Sequence, residues 1–262
     1  MNLLRAVYKM TTAPSELAKD GGEKEDEELD ADDEEEHEDE LEEETRDERF
    51  DAIVQDLHSR VSTQELNQRF GRLLANISTS DDDDGQEVYL TLVRGEELAA
   101  EEFAACFEIM KKNMMQLYKS STMGWTSRER MAELKEPGLI YILIKSSPPQ
   151  QPTTSSPLGF ASFMATWEND EPVVYCYELQ LPPQLRGKGL GRRVLEIIET
   201  VGASVGLPKC MLTVFSANPA YEFYTRMGYT PTDFSPEPTV LRNKVLPPSY
   251  WILEKTLTPT SI

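Results

Sequence analysis

Apolar residues recur at near-helical spacing between Phe50 and Ile77: Phe50, Ile53, Val54, Leu57, Val61, Leu66, Phe70, Leu73 and Leu74. Intervals of three and four residues put side chains on one face, so the pattern predicts one or two amphipathic helices. Asp81 to Asp84 with Gly85 end it. Val88 to Val93 then reads as a strand, rich in β-branched and aromatic residues. Glu96 to Lys119 reads as a long helix with Leu98, Phe103, Phe107, Met110, Met114 and Leu117 on or near one face. Beyond Gly124, Ser127 is of a type that caps a short helix, here running through Leu134.

The second half changes period. Gly138 to Lys145 (GLIYILIK) has the continuous apolar character of a buried strand. Ser146 to Pro157 is a Pro-, Ser-, Thr- and Gln-rich loop. Leu158 to Trp167 and Val173 to Leu181 read as neighbouring antiparallel strands joined by a short turn at Glu168 to Pro172. A glycine-rich stretch, Arg186-Gly187-Lys188-Gly189-Leu190-Gly191, follows. It leads into an amphipathic helix, Arg192 to Val205, with Val194, Leu195, Ile197, Ile198 and Val201 inward. Cys210 to Phe215 is a strand, Pro219 to Met227 a helix, Gly228-Tyr229 the start of another strand, and Tyr250 to Leu257 a last one. Strands followed by strand–helix alternation predict an α/β (α+β) fold: a mixed central sheet flanked by helices, with a parallel pair beside the glycine loop.

Charge divides the chain more sharply than hydropathy does. Residues 20–48 hold 20 Asp and Glu against Lys24 and Arg46, which places −18 of the formal −21 in this one segment. The segment has no aromatic residue and too little apolar surface to offset chain entropy, so disorder is expected there. The expected division is an acidic, largely disordered segment at 1–48, a helical extension at 49–85 and an α/β domain at 86–262. No run approaches the length of a membrane span, and Met1 to Thr12 makes a poor secretory signal. Cys106, Cys176 and Cys210 have neither metal spacing nor a disulfide pattern. A reducing compartment, nucleus and cytoplasm, is the expected location.

Glycines at the start of a helix let unpaired backbone N–H groups approach an anion, and Arg186, Lys188 and Arg192 add full charges. A Walker loop is excluded because its Gly-Lys-Ser/Thr ending is absent. A dinucleotide fingerprint is excluded because the glycines are misspaced and no acid follows at Lys209 to Thr213. Arg186-x-x-Gly189-x-Gly191 resembles the acyl-CoA loop of the GNAT acetyltransferase superfamily. Asn218, Tyr221, Phe223, Tyr224 and Met227-Gly228-Tyr229 resemble the element that lines the thiol end of CoA in that superfamily. Residues 86–257 carry the likeness. Asn113-Met114-Met115, Tyr118, Gly124-Trp125, Arg128-Glu129, Tyr175 to Leu181 and Met211 to Phe215 together look like NatD, a family that acetylates the N-terminal amine of histone H4 and of the 2A-type histone. Two departures stand out: Thr166 occupies a position commonly acidic in that family, and the N-terminal segment is acidic where the family's is typically basic.

The resemblance implies acetyl-CoA as co-substrate, no metal, and direct transfer to a free α-amine. Glu178 is the expected base, on the strand entering the loop. Leu179, Gln180 and Leu181 would supply backbone N–H groups, helped by a bulge or splay of the strand. Arg186, Gly187, Lys188, Gly189, Leu190, Gly191 and Arg192 would cradle phosphate. Tyr224 would protonate the sulfur or pack against it, and Asn218 would bind CoA or cap its helix. Tyr118, Trp125, Thr166, Trp167, Glu168, Tyr177, Thr213 and Tyr250 are the expected peptide contacts, aromatic faces and acids being suited to a Ser-Gly-Arg-Gly tail. His37 and His58 are read as solvent or helix-face residues. The acidic segment reads either as a solubilising tail or as a charge that draws basic tails to the site, and it disfavours nucleic acid. A monomer without an auxiliary subunit is expected. Two other readings stay open: a GNAT enzyme with other protein or lysine substrates, and a non-catalytic acidic histone-binding module.

Overall fold

The computed structural model describes residues 45–74, 77–78, 87–146, 156–242 and 244–260. The acidic segment as far as residue 44, with His37, lies outside the described residues, as do Asp81 to Asp84 and 147–155 of the polar loop. Helix α1 covers 45–55 and continues as a wide turn, Asp56–Arg60; α2 is Thr63–Phe70 and α3 Ala100–Ser120. The later helices are α4 (Ser127–Glu133), α5 (Leu190–Ser204) and α6 (Ala220–Arg226). The strands are β1 (Ile77–Ser78), β2 (Glu87–Arg94), β3 (Ile140–Lys145), β4 (Gly159–Glu168), β5 (Glu171–Gln180), β6 (Lys209–Phe215), β7 (Thr230–Pro231), β8 (Thr239–Leu241), β9 (Lys244–Leu246) and β10 (Tyr250–Thr256).

Among the described residues, eight strands form one sheet in the order β1-β2-β3-β4-β5-β6-β10-β7. Its pairings are antiparallel except β5 with β6, the parallel pair expected beside the glycine loop. β3 is apolar from Ile140 to Ile144, as suits a central strand covered on both sides. Ile140, Ile142 and Ile144 face a core shared with α1, α2 and α5, while Tyr141 and Leu143 face one shared with α3. β4 and β5 are joined by Asn169 and Asp170, both at positive φ, a two-residue turn whose twist matches antiparallel strands.

The N-terminal helices are fastened to the free side of β2 by polar bonds. Asn67 Nδ2 donates to Leu92 O at 2.7 Å, and Leu92 N donates to Asn67 Oδ1 at 3.2 Å, as a strand partner would. The buried Arg94 guanidinium donates to the carbonyls of Leu57 and His58. His58 is half-buried and lies over Gly138, where a Cβ would meet its ring at 2.3 Å; the expectation of a solvent or helix-face residue is corrected by this contact.

Three other expectations need adjustment. Ser127 is the first helical residue and not the cap, which is Thr126; its hydroxyl accepts from Trp125 Nε1 at 3.1 Å. Tyr229 does not begin a strand: it is buried, and its hydroxyl donates to Glu199 at 3.0 Å. β7 is two residues long, and β10 inserts between it and β6. The β8–β9 hairpin had no periodic signal of its own.

Helix α5 fixes the site because it lies very close to the sheet. A Cβ on Gly202 would stand 2.5 Å from Val174 Cγ1, so no side chain fits there without moving helix from strand. Gly202→Val is expected to lower the unfolding free energy by about 2 kcal/mol or more through overpacking, read by urea denaturation. A change of less than about 0.5 kcal/mol, the range of neutral surface substitutions, would show that this approach is not tight.

Candidate active site

The parallel ladder between β5 and β6 runs from Val173↔Lys209 to Cys176↔Leu212 and stops. At the same level the β4–β5 register slips: Phe163 pairs with Cys176 and Ser162 with Glu178, leaving Tyr177 as an extra residue. A bulge bends a strand and re-aims its side chains. Here it swings the end of β5 away from β6, which stays paired with β10 as far as Phe215↔Tyr250. The edge of β5 after Cys176 therefore faces a cavity of about 650 Å³.

One end of that cavity is the glycine loop. Gly187 and Gly189 have φ of 74° and 75°, a region that favours glycine, with open space where a Cβ would stand. Gly189 is the N-cap of α5 and provides no side-chain cap. The first turn of α5 contains no acid, and Arg192 and Arg193 stand there, against the preference of the helix dipole. An anion satisfies both the free N–H groups and this excess positive charge. Arg186 Nε donates to Leu181 O at 2.8 Å, tying the loop to the end of β5. Arg186, Gly187, Gly189, Gly191 and Arg192 line the cavity. Leu190 is fully buried and anchors α5 in the core, whereas exposed Lys188 is not in the wall.

At the centre stands Glu178. Gln180 Nε2 donates to Glu178 Oε2 at 2.6 Å, and Asn113 Nδ2 donates to Gln180 Oε1 at 2.9 Å. A second Asn113 bond reaches Leu181 O at 3.2 Å, so one residue of α3 orients both the carboxylate and the strand end. Burial raises the Glu178 carboxyl to about 7; the Gln180 bond pulls down, Glu133 pushes up and Arg130 pulls down. Tyr224 lies in the wall beneath, and its phenol is held protonated by burial, then by Cys176 and Glu178. Asn218 lines the cavity and also accepts from Ala220 N at 3.0 Å, so both its expected roles are compatible with its position.

The opposite end is acidic and aromatic. Glu168, Tyr177, Thr213 and Tyr118 line it, and burial alone raises Glu168 to about 7. The Tyr175 and Tyr177 rings stack at 4.7 Å, and Tyr175 shares a 2.5 Å hydrogen bond with Thr213 Oγ1. Four expected peptide contacts stand elsewhere. Trp125 supports Tyr118 from behind at 5.6 Å. Trp167, one residue from Glu168, is on the opposite face of β4: it meets Phe50 edge-on at 6.4 Å, and its Nε1 donates to Asp51 at 2.8 Å. Thr166 shares the Glu168 face by strand alternation but is outside the wall. Tyr250 packs with Tyr175 and Phe234 at the flank.

Sequence reasoning missed Glu133, Arg130 and Asn113 as parts of the site. Glu133 lines the cavity, and Arg130 behind it is 1% exposed. The signal was slight: an i,i+3 charge pair on a short helix looks like solvated surface. All three cysteines are free and buried, with Cys106 and Cys210 pushed up to about 12 by burial and Cys176 raised well above its ordinary value. None offers a thiolate nucleophile.

The raised Glu178 carboxyl carries a cost. Between pH 4.5, its ordinary value, and about 7 the folded chain keeps a proton that the unfolded chain has released. Stability then falls as pH rises through that window. Glu178→Gln removes this term, so its unfolding free energy relative to the parent is expected to rise by about 2 kcal/mol between pH 4.5 and 8. Parallel urea-unfolding profiles for the two proteins would contradict the burial of this charge.

Residues 104–229 match the sequence pattern described as "Acetyltransferase (GNAT) family". The N-alpha-acetyltransferase 40 of Saccharomyces cerevisiae is 29% identical over 152 residues, covering 51% of this chain and 53% of that protein. The chain thus spans about half the length of this curated relative. Among solved structures, the paia N-acetyltransferase of Thermoplasma acidophilum in complex with coenzyme A aligns with 64% of this chain and 98% of its own, at 16% identity and a TM-score of 0.44. The GNAT domain of S. lividans PAT aligns with 71% and 98%, at 10% identity and a TM-score of 0.49. Residues 104–229, which match the GNAT acetyltransferase pattern, span the parted strands, the glycine loop and Tyr224, and the mixed α/β sheet around them is a GNAT-type fold.

Proposed function

We propose that this chain is an N-terminal α-amino acetyltransferase, moving acetyl from acetyl-CoA to the first residue of histone H4 and of the 2A-type histone, whose tails begin Ser-Gly-Arg-Gly. The observation that carries the reading is Glu178: a carboxylate titrating at about 7, enclosed between a phosphate-type loop and an acidic, aromatic pocket. A proton moving from an α-amine of pKa near 8 to a base near 7 crosses about one pKa unit, roughly 1.4 kcal/mol. From a lysine ammonium the gap is about three units, roughly 4–5 kcal/mol. The base is therefore suited to a chain terminus, and the relative's name, an N-alpha-acetyltransferase, agrees.

In this reading acetyl-CoA brings a thioester, a good acyl donor. Its phosphates rest on the N-terminus of α5 with Arg186 and Arg192, and its thioester reaches the free edge of β5. Backbone N–H groups at Leu179 to Leu181 stabilise the charge that develops on the carbonyl oxygen, a preorganised term usually larger than any other. Glu178 accepts the proton of the attacking amine, directly or through water. Tyr224, kept as a phenol, can donate to the departing sulfur. Glu168, half-protonated near neutrality, ionises fully when a guanidinium arrives and pairs with the Arg of the tail. Thr166 adds no charge here, so Glu168 with Glu133 carries the recognition of positive charge. Nucleus and cytoplasm, where such tails are made and used, are the proposed locations.

Glu178→Gln is expected to bind acetyl-CoA normally and lose about 100-fold or more in kcat on a Ser-Gly-Arg-Gly peptide. The parent enzyme's kcat/KM should fall below a midpoint near pH 7, where the base becomes protonated. An acetylated or altered-start peptide should not react. Turnover of an internal lysine at rates matching the α-amine would overturn the assignment, and near-parental kcat in Glu178→Gln would remove Glu178 as the base.

A further inference from the structure

Arg130 is a buried cation, 1% exposed, in the wall behind the site. Burying a guanidinium is costly unless it is paired. Its NH1 meets Glu133 Oε2 at 2.8 Å, and a longer approach of 3.9 Å reaches the more exposed Glu129. Its Cζ also lies 4.4 Å from the centre of the Tyr118 ring, which Phe215 meets edge-on at 4.9 Å. Tyr118, Glu133 and Glu178 all line the same cavity. Glu133 and Arg130 are the charged groups acting on Glu178, and the ion-pair geometry gives the Arg130 guanidinium to Glu133.

We propose that Arg130 is a positioning residue: its guanidinium holds the Tyr118 ring in the cavity wall and keeps Glu133 ionised, so that Glu178 is the carboxylate left to take up and release the proton. The proposal rests on the acetyltransferase reading above and deepens it. An anionic Glu133 has a second consequence. It gives the incoming ammonium a fixed negative partner, so the amine is held whichever state Glu178 is in. The groups that face Glu178 are Tyr118 from α3, Arg130 and Glu133 from α4, Tyr141 from β3, Tyr224 from α6, and Cys176 and Gln180 on its own strand. Among these, Arg130 and Glu133 are the two that carry full charge.

Opposite charges acting on one carboxyl give opposite signs when removed. The test is an infrared titration of the protonated Glu178 band, assigned by its loss in Glu178→Gln, on the full chain without acceptor peptide. Arg130→Met should move the midpoint up by about one pH unit, and Glu133→Gln should move it down by about as much. The double variant should return close to the parent. Arg130→Lys, which keeps the charge without the planar stacking, should keep the midpoint while raising the peptide KM. Each variant is checked for acetyl-CoA binding. Shifts of the same sign, or no shift, in variants that still bind acetyl-CoA would overturn the proposal. Should Arg130→Met fail to fold, Glu133→Gln decides alone: an unmoved or raised midpoint overturns it. No turnover of the histone-type peptide with the shifts intact would instead sink the substrate assignment.

Discussion

β5 and β6 are hydrogen-bonded neighbours only as far as Cys176 and Leu212, and the rest of the site depends on their parting there. Had the ladder continued, the backbone of Leu179 to Leu181 would be spent on β6, and no cavity would separate the strands. The parting has two local causes. The extra residue at Tyr177 bends β5, and β10 keeps β6 straight by pairing along its full length. Helix α5, pressed on Val174 through Gly202, sets where the glycine loop must lie relative to the opening. Sheet register and one close helix–strand approach thus place an uncapped helix terminus beside a free strand edge.

Charge then gives the cavity a direction. Arg186 and Arg192 stand at the loop end, Glu178 at the centre and Glu168 at the other end, with Glu133 also in the wall. A polyanionic donor and a cationic acceptor are each attracted to a different end, which lines them up before any specific contact forms. The carboxylates are useful because they are enclosed: burial lifts both Glu168 and Glu178 to about 7, close to the working pH of a base. The same burial makes the site a weak point of the fold, a familiar trade between stability and activity.

Much of this was legible in the residues. Continuous apolar character marked β3 as central, two extended segments about the short Glu168 to Pro172 turn marked β4 and β5, and Gly187 and Gly189 marked the turn into α5. Glu178 could be placed because it lies a short strand length before that turn. Trp167 was not placed correctly because a strand alternates faces: if Glu168 looks into the cavity, its neighbour must look away, and here it meets Phe50 and Asp51. The resemblance nominated Trp125 and Tyr250 as peptide contacts; in the structure they pack on Tyr118 and Tyr175, outside the cavity wall. Arg130 and Glu133 were invisible for another reason. An i,i+3 charge pair has the same pattern whether a helix faces water or a cavity, and only the packing of α4 against Tyr118 tells them apart.

If the parted strand edge and the α5 terminus form a single acyl-CoA site, as proposed, one ligand must touch both. Amide hydrogen exchange along residues 173–193, with and without acetyl-CoA, tests it most directly. Acetyl-CoA is expected to slow exchange at two separated places together, Leu179 to Leu181 at the end of β5 and Gly189 to Arg192 at the start of α5. The paired amides of Val173 to Cys176 should change little. Protection confined to one of the two places, or absent from both, would contradict it.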